Sequence, residues 1–106
     1  MSLNNNISLK MQVVVNTERE SDCLQIQKEL KAFCPDLSFS PVREQPSLND
    51  CLEFFATAKI DGQCKEKLIK NLNNDWDEED DVYTAYGFNT RMFNPNVYWM
   101  LMEFSC

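Results

Sequence analysis

The residues of this chain best able to do chemistry are six carboxylates that fall within seven positions. They form the acidic block, residues 75–81, in which only Trp76 is uncharged: Asp75, Asp77, Glu78, Glu79, Asp80 and Asp81. The 106-residue chain has 17 acidic residues and a formal net charge of −7. Carboxylates at this density can bind a divalent cation, or they can attract a basic macromolecule through long-range electrostatics.

The spacing within the acidic block argues against a calcium loop. An EF-hand needs glycine at its sixth position and a bidentate glutamate at its twelfth. Counted from Asp75, these positions hold Asp80 and Tyr86. We therefore predict no metal site and no cofactor. Two interpretations of the block stay open: a solvated turn after a helix, or a recognition edge that steers basic partners and weakens with salt.

The composition disfavours the common catalytic mechanisms. The chain contains no histidine, which removes the usual general base near neutral pH and any Ser-His or Cys-His dyad. With only two glycines it carries no phosphate-binding glycine motif. Its five cysteines include no C-x-x-C pair: Cys23, Cys34, Cys51, Cys64 and Cys106. We predict that the protein is not an enzyme.

The same features predict a cytoplasmic protein with reduced thiols. Residues 1–8 contain neither a basic segment nor an apolar core of a signal peptide. No apolar run approaches the roughly 20 residues of a membrane-spanning helix. An odd number of cysteines agrees with free thiols. Cys23 and Cys64 are expected in helix cores, whereas Cys51 and Cys106 are expected to be exposed.

Hydrophobic periodicity gives the elements of the N-terminal half. Residues 7–15 alternate as a half-buried strand. Thr17 and Glu20 have the spacing of a capping box, which predicts a helix that Pro35 ends. Residues 37–42 form a short edge strand, and residues 43–50 form a loop.

The C-terminal half repeats this arrangement. Residues 51–60 alternate as a strand, and Asp61 is placed to cap a second helix. Its apolar face is predicted to carry Cys64, Leu68, Leu72 and Trp76. Two further strands follow at 82–89 and 97–104.

The element order β-α-β-β-α-β-β predicts one α+β domain over residues 1–106, with residues 1–6 as a flexible arm. We expect a ferredoxin-like split βαβ fold: an antiparallel sheet with both helices on one face and an extra C-terminal hairpin strand.

The last predicted strand is apolar on both sides, which indicates that both are covered. Strict alternation groups Val97, Trp99 and Leu101 on one side, and on the other Tyr98, Met100, Met102 and Phe104. Two covers for the sheet face without helices stay open. One is the N-terminal arm or the 43–50 loop, and the other is a dimer or partner interface.

These features favour a binding protein over a catalyst. Aromatic residues on such a sheet could stack on RNA bases, but the charge of −7 opposes direct nucleic-acid binding. We predict a small inhibitory or regulatory module that engages a basic protein, such as a nuclease or another nucleic-acid-binding protein. Anti-defence, antitoxin and immunity proteins act in this way, and an acidic face can imitate nucleic-acid phosphates.

The predicted partner-binding residues are the acidic block with three aromatic anchors: Asp75, Trp76, Asp77, Glu78, Glu79, Asp80, Asp81, Tyr83 and Trp99. The alternative is a homodimeric ferredoxin-like domain, paired through its open sheet face, that binds a small molecule or acts as an enzyme. In that case Tyr86, Arg91 and Tyr98 would supply polar contacts.

Overall fold

The computed structural model describes residues 7–73, 75–87 and 92–105. The predicted N-terminal arm lies outside them. The elements are β1 Ile7–Val15, α1 Glu20–Phe33, β2 Ser38–Phe39, β3 Arg43–Glu44, β4 Leu52–Ile60, α2 Gly62–Leu72, β5 Asp77–Glu79, β6 Val82–Tyr86 and β7 Val97–Ser105. Across these ranges, neither helix has the length and apolar character needed to cross a membrane.

The strands form one antiparallel sheet, which confirms the α+β class. Its order is β2-β4-β1-β7-β6-β5, and β3 also pairs with β4. The central strand β1 pairs along its length with β4 on one side and β7 on the other. On the β4 side, β4 lies between β1 and β2, as a split βαβ unit requires.

The strand order on the other side of β1 differs from the predicted ferredoxin-like order. That prediction places the strand beginning at Val82 beside β1, with the C-terminal strand added outside it. In the structure β7 lies beside β1, and β6 and β5 follow towards the edge. Length and apolarity explain the difference. β7 matches the nine residues of β1 and buries Met100 and Met102 completely, whereas β6 has five residues and buries only Ala85.

Both helices pack on the same face of the sheet, as predicted, and share one core with it. α1 contributes Cys23, Ile26 and Leu30, and α2 contributes Leu68 and Leu72. On the sheet they meet inward-facing residues of the three central strands, among them Met11, Phe54 and Met100.

The two helix starts differ in how well the sequence predicted them. Asp61 caps α2 as expected, because its Oδ1 accepts a hydrogen bond from the backbone N–H of Cys64 at 2.8 Å. The prediction of a capping box at the start of α1 is wrong. α1 follows Arg19, which makes no side-chain cap. The Thr17 hydroxyl instead donates to Asp22 at 2.6 Å, and this bond, more than the nearby Arg19, lowers the pKa of Asp22.

The predicted edge strand at 37–42 is shorter than expected, since only β2 Ser38–Phe39 is formed there, and the predicted loop at 43–50 is wrong at its start, where β3 Arg43–Glu44 pairs with β4. Ser40 separates β2 from β3 by bonding to Phe55 in two ways. Its backbone N–H donates to the Phe55 carbonyl at 2.8 Å, and its hydroxyl accepts from the Phe55 N–H at 2.8 Å. The Ser40 hydroxyl thus accepts a hydrogen bond that a backbone carbonyl would accept in a regular strand pair. Pro41, the next residue, has no N–H with which to continue that pairing.

Candidate functional site at the acidic edge of the sheet

The acidic block forms the outermost strand and a tight turn. Asp77–Glu79 is strand β5, and Glu79 pairs with Val82 across a two-residue hairpin. Asp80 and Asp81 in that hairpin have φ of 52° and 65°, the left-handed values that a type I′ turn requires. The interpretation as a solvated turn therefore holds for two of the six acids, and three others extend along the sheet edge.

The carboxylates of the block are exposed to solvent. Among the described residues, only Asp81 of the block forms an ion pair, with Lys65 at 3.4 Å. Such an exposed pair contributes little to stability. Charge along an edge strand also discourages unwanted strand pairing, so the block has a structural use apart from any partner.

Two of the three predicted aromatic anchors face the helix side of the sheet. Trp76 donates its indole N–H to the Ile69 carbonyl of α2 at 2.7 Å. Its ring meets Tyr83 edge-on at 6.2 Å, and Tyr83 meets Phe104 in the same way at 5.6 Å. Burial, followed by a hydrogen bond to Glu78, raises the pKa of Tyr83. Trp76 and Tyr83 therefore hold β5 and β6 against the core.

The third anchor, Trp99, lies on the opposite side of the sheet, which we call the outer face. Trp99 lies there because it alternates with the buried Met100, and a β-bulge just before it changes the side of Val97 instead. Val14 pairs with Trp99, but the next residue, Val15, pairs with Val97, so Tyr98 is the extra residue. Val97 therefore joins the core at 2% exposure, which corrects the predicted grouping of Val97 with Trp99.

Aromatic rings cluster on the outer face near one end of β6 and β7. Tyr86 pairs with Trp99 across the two strands, with ring centroids 6.5 Å apart. Tyr86 also meets Tyr98 edge-on at 5.8 Å. The side chain of Tyr86 is 44% exposed, a high value for a large apolar group.

The strand register joins this cluster to the acidic edge. Asp77 lies opposite Thr84, which lies opposite Leu101 on β7. Because directly paired residues share a face, Asp77 and Glu79 lie on the same face as Tyr86 and Trp99. We call this the acidic–aromatic surface: Asp77, Glu79, Val82, Thr84, Tyr86, Trp99 and Leu101. A shallow depression of about 320 Å³ lies at its acidic end, beside Asp80.

The end of the outer face around Val14 and Glu53 is covered by β3 and the segment after it, which lie within the predicted 43–50 cover, whereas Lys10, Thr57 and Lys59 of the same face are exposed. Beneath that segment Glu53 is fully buried. Its carboxylate accepts hydrogen bonds from Arg43 Nε at 2.6 Å, Gln12 Nε2 at 2.9 Å and Gln45 Nε2 at 3.3 Å. Arg43 also lies over the ring of Phe55, 5.2 Å from its centroid.

Sequence reasoning missed Glu53 because a glutamate at an outward strand position is expected to contact water. The sequence does contain one indication that Glu53 is buried, namely its apolar neighbours: Leu52 and Phe54 flank it, and Phe55 follows. A charged residue in such a run is a candidate for burial with a partner, and Arg43 is the nearest preceding cation.

The cysteine predictions have mixed outcomes. Cys23 is fully buried in the core, as expected. The prediction that Cys51 is exposed is wrong, since the residue is only 9% exposed. Cys64, predicted in a helix core, is half-buried instead. Cys106 and Arg91 lie outside the described residues. Within the described ranges, no group of His, Cys, Asp and Glu side chains is arranged to hold a metal ion.

No protein-family model, curated protein or solved structure matches the chain.

Proposed function

We propose that this chain is an inhibitory or regulatory protein-binding module that engages a basic protein through its acidic–aromatic surface. The observation that carries the proposal is the register of β5, β6 and β7. It places the carboxylates of Asp77 and Glu79 on the same face as the rings of Tyr86 and Trp99. Carboxylates at the rim beside aromatic groups make up a common kind of protein-binding surface.

The two parts of this surface have different physical roles. Aromatic side chains supply much of the binding energy at protein interfaces because they bury large areas with few rotatable bonds. Rim carboxylates mainly raise the association rate and exclude acidic partners. Asp80 adds charge at the hairpin turn, next to the depression beside Asp77 and Glu79.

Trp76 and Tyr83 have an indirect role in this proposal. Their rings pack towards α2 and Phe104, so they fix the position of β5 and β6 relative to the core. Glu78 pairs with Tyr83 and lies on the helix side of the sheet. Asp77, Glu79, Asp80 and Trp99 therefore remain as the main contact residues.

The charge of the surface selects the class of partner. A nuclease or other nucleic-acid-binding protein presents a basic groove for phosphates, and an acidic edge is complementary to such a groove. Anti-defence, antitoxin and immunity proteins are the functional classes that fit a small chain with this surface.

A charge-reversal experiment tests the proposal. The test variant carries Asp77→Lys, Glu79→Lys and Asp80→Lys. The matched control carries Glu18→Lys, Asp36→Lys and Glu66→Lys, which make the same change in net charge at exposed positions outside the block. Each protein is used to capture partners from an extract of the source cells, and association with the captured protein is then measured at low and high salt.

We expect the wild type and the control to capture the same basic protein and the test variant to lose it. At low salt the association rate of the test variant should fall by roughly tenfold or more, with a smaller difference at high salt. Equal losses in both triple variants would show that net charge alone is responsible, and unchanged capture by the test variant would contradict the proposal.

A second comparison addresses the aromatic part of the surface. Trp99→Ala should weaken binding by roughly tenfold or more, mainly through faster dissociation. Leu24→Ala is the control because Leu24 is 52% exposed on α1, away from this surface. Equal affinities for the two variants would exclude Trp99 as an anchor.

A further inference from the structure

Two cysteines that are 30 positions apart in sequence are brought together where α1 ends and α2 begins. Cys34 is the C-terminal cap of α1, and its backbone N–H donates to the Leu30 carbonyl at 2.9 Å. Cys64 lies in the first turn of α2, where its N–H donates to Asp61. Both backbones are therefore fixed by hydrogen bonds.

The side chains of these cysteines share one environment. Both line a shallow pocket of about 280 Å³, together with Pro35, Gln63 and Lys67. The two thiols also contact each other. Burial and then the side-chain hydrogen bond with Cys34 raise the pKa of Cys64 to about 12. The pocket leaves Cys64 half-exposed, whereas Cys34 is 1% exposed.

We propose that Cys34 and Cys64 are a site of reversible disulfide formation that covalently joins the end of α1 to the start of α2. Forming the bond brings the two sulfurs to the S–S length of about 2.05 Å. This inference is independent of the proposed partner.

The oxidant that completes the reaction is a low-molecular-weight disulfide. Cys64, the more accessible of the two, loses its proton to solvent, and its thiolate attacks one sulfur of the oxidant and expels one thiolate. Cys34 then loses its proton, attacks the Cys64 sulfur of the mixed disulfide and expels the second thiolate. Two protein thiols are oxidised, one external disulfide is reduced, and the expelled thiolates take up the two protons.

The structure sets the rate and the selectivity of this reaction. A thiol with a raised pKa is rarely ionised near neutral pH, so the first step is slow and accelerates with pH. Cys23 is fully buried among core residues, and Cys51 lies beneath the segment after β3. Neither shares the pocket of Cys34 and Cys64.

The test uses the full chain with Cys106→Ser, which removes the C-terminal thiol. The native protein is incubated with oxidised glutathione at pH 8.5 and analysed by intact mass and by tryptic peptide mapping. Trypsin releases Cys34 in peptide 32–43 and Cys64 in peptide 60–65, each with a single cysteine. We expect a mass loss of about 2 Da and a cross-link between these two peptides, both reversed by a reductant.

Two variants separate the proposed pair from other thiols. In the same background, Cys64→Ser should abolish the cross-link and the mass loss, whereas Cys51→Ser should retain both. The oxidised protein should also show a higher thermal midpoint than the reduced protein, because the bond closes the 34–64 segment. A stable glutathione adduct on Cys64 with no cross-link, or a cross-link between another pair, would overturn the proposal.

Discussion

The indole Nε1 of Trp76 donates a hydrogen bond to the carbonyl oxygen of Ile69 at 2.7 Å. Ile69 lies in the last turn of α2, where the backbone carbonyls have no partner within the helix. The neighbouring Leu72 carbonyl accepts from the Phe93 N–H at 2.8 Å. Trp76 therefore satisfies one of the free carbonyls at the end of α2, and the same hydrogen bond holds the residue just before β5 against that helix.

Replacing Trp76 by phenylalanine should destabilise the protein by about 1–3 kcal/mol, because the part-buried carbonyl of Ile69 loses its donor. Urea unfolding measures this free energy. Trp99→Phe makes the same chemical change on the half-exposed outer face and should cost less. Equal losses in the free energy of unfolding for the two variants would show that the hydrogen bond to Ile69 does not add to stability.

The buried carboxylate of Glu53 predicts an asymmetric pair of variants. Arg43→Ala should destabilise the protein by about 2 kcal/mol or more, because it leaves a buried charge with only amide donors. Glu53→Gln removes the charge but keeps the shape, and the Arg43 side chain is already 60% exposed to water, so its cost should be smaller. The free energies of unfolding of the two variants test this order, and a larger cost for Glu53→Gln would contradict it.

The hairpin turn at Asp80 and Asp81 predicts that two substitutions removing the same charges have opposite effects. Asp80→Asn with Asp81→Gly should raise the free energy of unfolding by roughly 0.5–1 kcal/mol, since Asn-Gly suits two positive φ angles. Asp80→Ala with Asp81→Ala should lower it by about 1–2 kcal/mol, because alanine disfavours that conformation. Similar changes in both pairs would mean that charge, and not turn geometry, governs stability here.

Alkaline pH should weaken the fold through its buried thiols. Burial, followed by the nearby Asp22 and Glu20, raises the pKa of Cys23 from 9.0 to about 11. Above pH 9 the unfolded chain loses this proton more readily than the folded one, so stability is full below pH 9 and falls as the pH rises towards 11. Unfolding measured from pH 8 to 10.5 in a reductant should show this decline.

Cys23→Ala provides the comparison for the pH experiment. The variant should be less stable at every pH because it leaves a small cavity, but its stability should fall less steeply between pH 9 and 10.5. Parallel curves for the two proteins would show that Cys23 does not cause the decline.

The sequence by itself determined the long elements and the location of the charge. Strict alternation gives β1 and β4, and the Asp61 cap gives the start of α2. The three- and four-residue spacing gives the buried residues of α1 and, on α2, Leu68 and Leu72, but Trp76, predicted on the same stripe, lies beyond the end of α2. These features depend on local chemistry, because periodicity and capping involve residues close in the chain. The charge of the acidic block can be read in the same way.

Only the tertiary structure decided the strand order and the face that each aromatic residue occupies. β7 lies beside β1 because a long doubly apolar strand is best covered at the centre of a sheet. One extra residue in β7 then moves Val97 to the core side and leaves Trp99 on the outer face. Two distant contacts were also hidden: Gln12, one of the partners of Glu53, is 41 positions from it, and Cys34 is 30 positions from Cys64. Such contacts depend on chain segments that meet only after folding, and no local pattern encodes them.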